Sequence, residues 1–259
     1  MKKRIFLLDS QRGTGELVKF LKGRTVIVDD VNQADLIVVC GGDGAMLDAI
    51  GSFWHNFVPF VGFNFGHIGF LLNDPSKEVV DEILTDRVEV VAVRLLKAQL
   101  FDEKGRYKGE VYAFNDVYFE RTSVQTVNLR VAVNGRVKFN PLIGDGVIVA
   151  TAAGSTAYNA AAGGVIVPLN VDSLILTGIC PAVFHHWRSA QLPAEAKVTL
   201  EALDLDKRPL RLVVDGREIS GVAKVEVELS DKQVQLVFAA SQKFKEKVLS
   251  LQLGIFPMR

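Results

Sequence analysis

Three short stretches concentrate the residues able to do chemistry. In the first, Gly41-Gly42-Asp43-Gly44 sets one carboxylate among three glycines, between the apolar run 36–40 and a helix-like pattern. Glycines there permit positive φ and let backbone N–H groups face a ligand without a Cβ in the way. A helix starting at once adds its own amides and dipole, which suits phosphate. A carboxylate at the same amides would repel phosphate. Asp43 therefore either caps the helix or takes part in the reaction, holding a metal between phosphates or taking a proton from an attacking hydroxyl. The loop by itself leaves both readings open.

The second stretch is Asn115-Asp116 within "FNDVYFER". Both residues are poor strand formers inside a β-type run. They mark a bulge, or they form a hydrogen-bonding pair suited to a sugar diol or an adenine edge. The third is "GDGVIVATAAGSTAYNAAAGG" (144–164), dense in Gly and Ala and carrying Ser155, Thr156 and Tyr158. It reads as a packed small-residue helix, or as a surface where a flat ligand lies against backbone and hydroxyls orient it. Ser155 sits in "AGSTA", neither G-x-S-x-G nor S-x-x-K, so it is not read as a nucleophile. "NFGHIGFLLND" (64–74) is a further glycine-punctuated loop after a strand, and its His67 alone says little. Cys180, His185 and His186 lack a four-ligand zinc pattern. "RGTGELV" imitates a dinucleotide fingerprint, with Asp29 and Asp30 ending the next strand, but Val18 replaces its third glycine.

These residues need elements to position them. "RIFLLD", "TVIVDD", "ADLIVVC" and "PFVGFN" read as strands; "GELVKFLKG", "AMLDAIGSFWHNF" and "SKEVVDEIL" read as helices. In the longest helix Met46, Leu47, Ile50, Phe53, Trp54 and Phe57 form one stripe. Continuous apolar strands alternating with helices predict a mostly parallel sheet covered on both faces. From about residue 87 the pattern turns to period two, with hairpin signals at Asn134-Gly135, Asp215-Gly216 and Asp231-Lys232. The expected organisation is an α/β domain over 1–90 and an all-β domain over 91–238. A helical tail, 239–259, is expected to pack back on the first.

Bulk composition narrows the function classes. The chain has 259 residues, 49% of them hydrophobic, which excludes a disordered or fibrous protein. Lys+Arg and Asp+Glu balance at 30 each, so no net basic field favours nucleic acid. Apolar runs are strand-sized, short of the roughly 20 residues that span a bilayer. The two cysteines, Cys40 and Cys180, form no ligand cluster and are expected as buried thiols in a reducing cytoplasm.

Taken in order, "GGDG" (41–44), "NFGHIGFL" (64–71), "FND" (114–116), "GDG…ATAAGSTAY…AGG" (144–164) and "VDGREI" (214–219) resemble the NAD kinase family over nearly the whole chain. "GGDG" by itself is shared with phosphofructokinases and with lipid kinases of the diacylglycerol type. The resemblance implies a Rossmann-like α/β domain followed by a β-sandwich domain. It implies ATP-dependent phosphorylation of the 2′-hydroxyl of the adenosine ribose of NAD to give NADP. It also implies a divalent metal, usually magnesium, and a homo-oligomer whose neighbouring subunit contributes to a NAD site between the domains. By the same resemblance Asp43 matches the proposed general base, with Gly44 beside it and Gly41, Gly42 and Gly44 forming the phosphate loop. Asn115 and Asp116 match the pair that binds NAD through ribose and base. Asp145 matches a second acidic residue near the ligand. Thr156, Ala157 and Tyr158 match the segment lining the adenine and ribose pocket. The chain departs from common family wording at Ala161 (often serine), Ile143 (often basic), Arg217 (often glutamine) and "CPAVFHHWRSAQLP". Arg217, after Asp215-Gly216, is expected to meet ribose or phosphate.

Overall fold

The computed structural model describes residues 2–9, 13–66, 69–182, 187 and 189–242. Contacts divide the chain into a first unit, Met1–Val93 with Gln233–Arg259, and a second, Arg94–Lys232.

In the first unit, β1 (Arg4–Asp9), α1 (Gly15–Arg24), β2 (Val26–Ile27), β3 (Leu36–Gly41), α2 (Asp43–Phe53), β4 (Phe60–Asn64) and α3 (Lys77–Leu84) follow one another. The strands pair in parallel in the order β2-β1-β3-β4. All six residues of β3 are buried. Val38 and Cys40 join Leu17 and Leu21 of α1 and Val79, Val80 and Ile83 of α3 in one core. Ile37 and Val39 point the other way, as strand alternation requires. They are equally buried, on the side where α2 packs with Met46 and Ile50. Double coverage is why the strand reads as an unbroken apolar run. Ser76 caps α3, its side chain accepting the Val79 N–H.

The second unit takes most of its residues from β5 (Val88–Phe101), β6 (Tyr107–Ala113), β7 (Asp116–Arg121), β8 (Val127–Val133), β9 (Arg136–Gly144), β10 (Gly146–Ala150), β11 (Ser173–Ile179), β12 (Ser189–Pro193), β13 (Lys197–Leu203), β14 (Leu210–Val214), β15 (Arg217–Ile219) and β16 (Lys224–Ala239). A short helix, α4 (Tyr158–Ala161), lies between β10 and β11. One sheet runs β12-β11-β10-β7-β14-β15; on the other, β16, β13, β8 and β9 pair in turn, with β5 and β6 alongside. Leu129, Val131, Val198, Leu200, Val225 and Val227 of the second sheet share a core with Val117, Phe119, Val147, Val149, Leu174 and Leu212 of the first. That is a β-sandwich. Ile148, Ala150 and Ile175, alternate residues of the β10–β11 pair, are buried on the outer face under Ala152 and Val167.

Several local expectations change. "TVIVDD" yields only the two-residue β2, and Asp30 caps a 3-10 turn by accepting the Asn32 N–H. The stripe of α2 stops early: the helix ends at Phe53, and Phe57 is left-handed (φ 57°) and 77% exposed. Asp231-Lys232 is no turn, since β16 runs straight through it. Cys180 is exposed, whereas burial pushes the Cys40 thiol up to about 12. At the chain's far end, Ala240, Ser241 and Gln242 hydrogen-bond Arg87, Glu82 and Asp74 of the first unit. The rest of the expected helical tail, 243–259, lies outside the described residues, as do His67, His185 and His186. No helix among the described residues is long and apolar enough to cross a membrane.

Candidate functional site

Adjacent parallel strands β3 and β4 end side by side, with Gly41 opposite Asn64 in register. Their two exit loops interlock. The Phe65 N–H donates to the Gly41 carbonyl at 2.9 Å. Asp43 Oδ2 accepts the Phe70 N–H at 2.8 Å, and Oδ1 accepts the Leu71 N–H at 3.0 Å. Gly42, with extended φ of −104°, is the N-cap of α2, and Asp43 is the first helical residue. The carboxylate thus ties the second loop to the helix start rather than capping the helix. None of the three glycines uses positive φ. Gly44 is exposed, and a Cβ there would meet nothing within 4 Å. At Gly69 a Cβ would fall 2.7 Å from Asn64 Cγ, so the second loop needs that glycine for its close turn. The same loop ends on Asn73, fully buried, whose side-chain amide donates to the Gly62 and Val237 carbonyls and accepts the Ala239 N–H. That asparagine bridges β4 and β16 where their own pairing is reduced to Leu236 beside Phe60.

In the second unit residues 114–116 enter β7. Asp215 stands in the β14–β15 turn with φ 46°, and Gly216 follows with φ 76°. Its carboxylate accepts three consecutive N–H groups, from Phe114 (2.6 Å), Asn115 (2.8 Å) and Asp116 (3.2 Å). Thr151 holds the same segment from the β10 side. Its hydroxyl donates to the Phe114 carbonyl at 2.6 Å, and its N–H donates to the Asn115 carbonyl at 2.9 Å. Gly154 presses on the same carbonyl; a Cβ there would lie 2.1 Å from the Asn115 oxygen. Asn115 Oδ1 is buried with no hydrogen-bond partner among the described residues. Asp116 is 4% exposed, and burial, then the charge of Asp215, pushes its carboxyl up to about 7. Burial also raises Asp215, outweighing its three amide donors.

The Gly/Ala segment is no long helix. After β10 it forms a 3-10 turn at Gly154–Thr156 and then the four-residue α4. Ser155 is fully buried, donating to the Ala152 carbonyl at 2.6 Å, and Thr156 donates to the Ala153 carbonyl. Ala157 is the irregular residue before α4 (φ −92°, ψ −133°). Buried Asn159 holds the segment by donating to the Ser155 and Val165 carbonyls. Tyr158 packs edge-on against Tyr118, centroids 5.1 Å apart, with its hydroxyl 3.5 Å from Glu120.

Tyr158 and Asp145 line one cavity of about 530 Å³ together with Glu120, Arg121 and Arg211. Asp145 is ion-paired with Arg121 of the same chain at 2.7 Å. Arg217 is exposed at the start of β15, and its charge offsets a small part of the rise that burial causes at Asp215. So the structure gathers Asn115, Asp116 and the segment after Thr151 in one cluster, and Asp145 with Tyr158 in one cavity. Asp43 and its glycines belong to the first unit. From the sequence Asp215 was a turn residue within the "VDGREI" motif with no role of its own, and Thr151 and Asn159 were passed over.

Comparison with known proteins fits this arrangement. A family model of the ATP-NAD kinase N-terminal domain matches residues 21–91, and one of the ATP-NAD kinase C-terminal domain matches 114–245. The chain is 35% identical to the NAD kinase of Rickettsia bellii over 230 residues, covering 87% of this chain and 88% of that one. It is 37% identical to the NAD kinase of Brucella suis over 222 residues, 85% of each. Among solved structures, yeast NADH kinase complexed with NADH superposes with a TM-score of 0.82 at 22% identity, covering 99% of this chain and 89% of that one. An NAD kinase from Archaeoglobus fulgidus in complex with ATP gives 0.77 at 22%, covering 95% and 99%. These two share the fold. With both domain models matched in order and relatives above 30% identity across most of its length, the chain belongs to the ATP-NAD kinase family.

Proposed function

We propose that Asn115 and Asp116 hold the adenosine end of NAD, and that Asp43 serves the 2′-hydroxyl that attacks ATP. The activity follows from the family: the chain phosphorylates NAD, with ATP as phosphoryl donor, to give NADP. The observation that carries the residue assignment is the orphaned acceptor, Asn115 Oδ1. A buried acceptor left without a partner costs about 1–3 kcal/mol. A ribose hydroxyl or an adenine amino group supplies the missing donor. Asp116, with its carboxyl raised to about 7, offers a donor as well as acceptors near neutral pH. Thr156, Ala157 and Tyr158 line the adenine and ribose pocket. Asp145 and Arg217 complete the ligand contacts.

The 41–44 amides and the start of α2 cradle phosphate. Among the described residues no three His, Cys, Asp or Glu side chains group as metal ligands. Magnesium, which the family resemblance implies, would enter with the nucleotide. It would supply neutralisation of phosphate charge, and the 41–44 amides would hold the phosphates beside it. Asp43 has the separate task. Its carboxylate is oriented before substrate arrives by the Phe70 and Leu71 amides. A carboxylate is a far weaker base than an alkoxide, so the hydroxyl proton moves to Asp43 only as the new O–P bond forms.

The proposal includes a homo-oligomer in the cytoplasm, with Asp145 reaching the ligand across a subunit boundary. It rests on the family resemblance. An active enzyme that sediments only as a monomer overturns that part. For the activity, purified protein is incubated with NAD, ATP and magnesium, and NADP is read with an NADP-specific dehydrogenase. Folded protein that forms none refutes the reading.

A further inference from the structure

Every backbone polar group of residues 114–116 is accounted for, and the partners are few. The three N–H groups go to the Asp215 carboxylate. The carbonyls accept from the Thr151 hydroxyl, the Thr151 N–H and the Asp215 N–H in turn. What the segment leaves unpaired is a side-chain atom, Asn115 Oδ1. The β7–β14 ladder ends at Val117 opposite Val214, so beyond that point the Asp215 side chain takes the place of the missing strand. It can do so because the turn puts Asp215 in the left-handed region at φ 46°.

That arrangement is expensive. Asp215 is pushed up by burial, and its charge helps to push up Asp116 beside it. A neutral anchor would avoid the second effect. An asparagine at 215, however, would set its own N–H groups against at least one of three converging donors. With Oδ1 kept on Asn115 and Asp116, its amide nitrogen would face the Phe114 N–H across 2.6 Å. Only a carboxylate accepts all three.

We propose that Asp215 is the positioning residue of the NAD pocket: it sets the backbone of residues 114–116 and so aims Asn115 and Asp116 at the ligand. This rests on Asn115 binding NAD, as argued above. Its effect belongs in binding, because Asp215 acts through groups that hold substrate rather than through the reacting atoms.

The test is a kinetic cycle on the full chain with NAD varied at saturating ATP. Asp215→Asn is expected to raise KM for NAD about tenfold, with kcat and KM for ATP within about twofold. Asn115→Ala is expected to raise KM for NAD similarly. The double variant should fall well short of the product of the two effects, since after Asn115→Ala the anchor has only Asp116 left to aim. Asp215→Glu keeps charge and acceptors but displaces them by one methylene, and should fall between wild type and Asp215→Asn; it carries the same cycle if Asp215→Asn does not fold. Multiplying effects in the double variant overturn the proposal. So does Asp215→Asn that lowers kcat and leaves KM for NAD alone, as a merely structural loss would. An unchanged KM in Asn115→Ala is a different failure: the pocket reading falls, and this inference falls with it.

Discussion

Two regions of the molecule use one device in different settings. In the first unit, Asp43 accepts the amides of Phe70 and Leu71, 27 and 28 residues away. In the second, Asp215 accepts those of Phe114, Asn115 and Asp116, about a hundred residues away. Each carboxylate fixes a distant loop by its backbone. At 41–44 the anchor sits half-buried at a helix start and is itself the proposed reactive group. At 215 the anchor is set behind the segment it fixes, and the proposed ligand groups belong to that segment. One aspartate can serve a reaction or serve the residues that bind; its neighbours decide which.

The sharpest way to break that contrast is Asp43→Asn. The side chain keeps its shape but loses its charge and one acceptor. If Asp43 takes the proton, kcat falls by about 10²–10⁴ while NAD still binds. A change confined to KM, of the kind expected at Asp215, would make the two anchors equivalent. Steady-state kinetics with both substrates varied decides between them.

Next in size is the pH response of the second region. The Asp116 carboxyl rises from 3.8 to about 7 on folding, through burial and then Asp215. Between those values the folded protein binds the proton that the unfolded chain has released. Its contribution is therefore fully present below pH 3.8 and is lost as pH rises to about 7. The shift corresponds to something on the order of 4 kcal/mol. Asp215, raised as well, slopes the same way, while Glu226, held low by Lys197 and Lys224, slopes the other. The difference in denaturant stability between wild type and Asp116→Asn reports Asp116 together with its coupling to Asp215. It should shrink steadily as pH rises from 4 to 7, and a flat difference would show Asp116 ionised throughout.

The motifs proposed to carry chemistry stood out in the sequence because each is a contiguous run. "GGDG", "FND" and "GSTAY" stand out by composition, and the parallel-then-antiparallel division follows from the change of hydrophobic period. What was illegible is long-range. Nothing in "VDGREI" marks Asp215 as an anchor rather than a turn residue, since its partners lie about a hundred residues upstream. Thr151 looked like one more small residue after a strand. Asp43 satisfied the helix-cap pattern, yet Gly42 took the cap because the carboxylate had two amides on the neighbouring loop. Phe57 fitted the apolar stripe of α2, but the helix had ended at Phe53. Asp231-Lys232 resembled a turn because both residues are polar, and the continuous strand β16 carries them exposed.

A third comparison makes the same substitution in both regions. Gly154→Ala drives a Cβ to within 2.1 Å of the Asn115 carbonyl oxygen, a backbone atom that Thr151 also holds. The segment must shift, and overpacking of this kind costs about 1–3 kcal/mol. Thermal melting should drop, and KM for NAD should rise with it because the displaced atoms carry Asn115.

Gly44→Ala is the smallest effect and the most discriminating. Its φ is not left-handed, and the added methyl meets nothing within 4 Å. Inside the first turn of α2, alanine restricts the unfolded chain without straining the folded one, so stability should increase by about 0.4–1 kcal/mol. Gly154→Ala moves the other way, which no general preference of glycine over alanine can produce. The open space at Gly44 is the space that a ligand on the 41–44 loop would occupy. Gly44→Ala should therefore melt higher and yet work less well, with KM for ATP or NAD raised. A variant that is both more stable and fully active would leave Gly41, Gly42 and Gly44 as an ordinary strand-to-helix turn. The phosphate-cradling role would then have to pass to the amides of the 64–74 loop that Asp43 holds beside it.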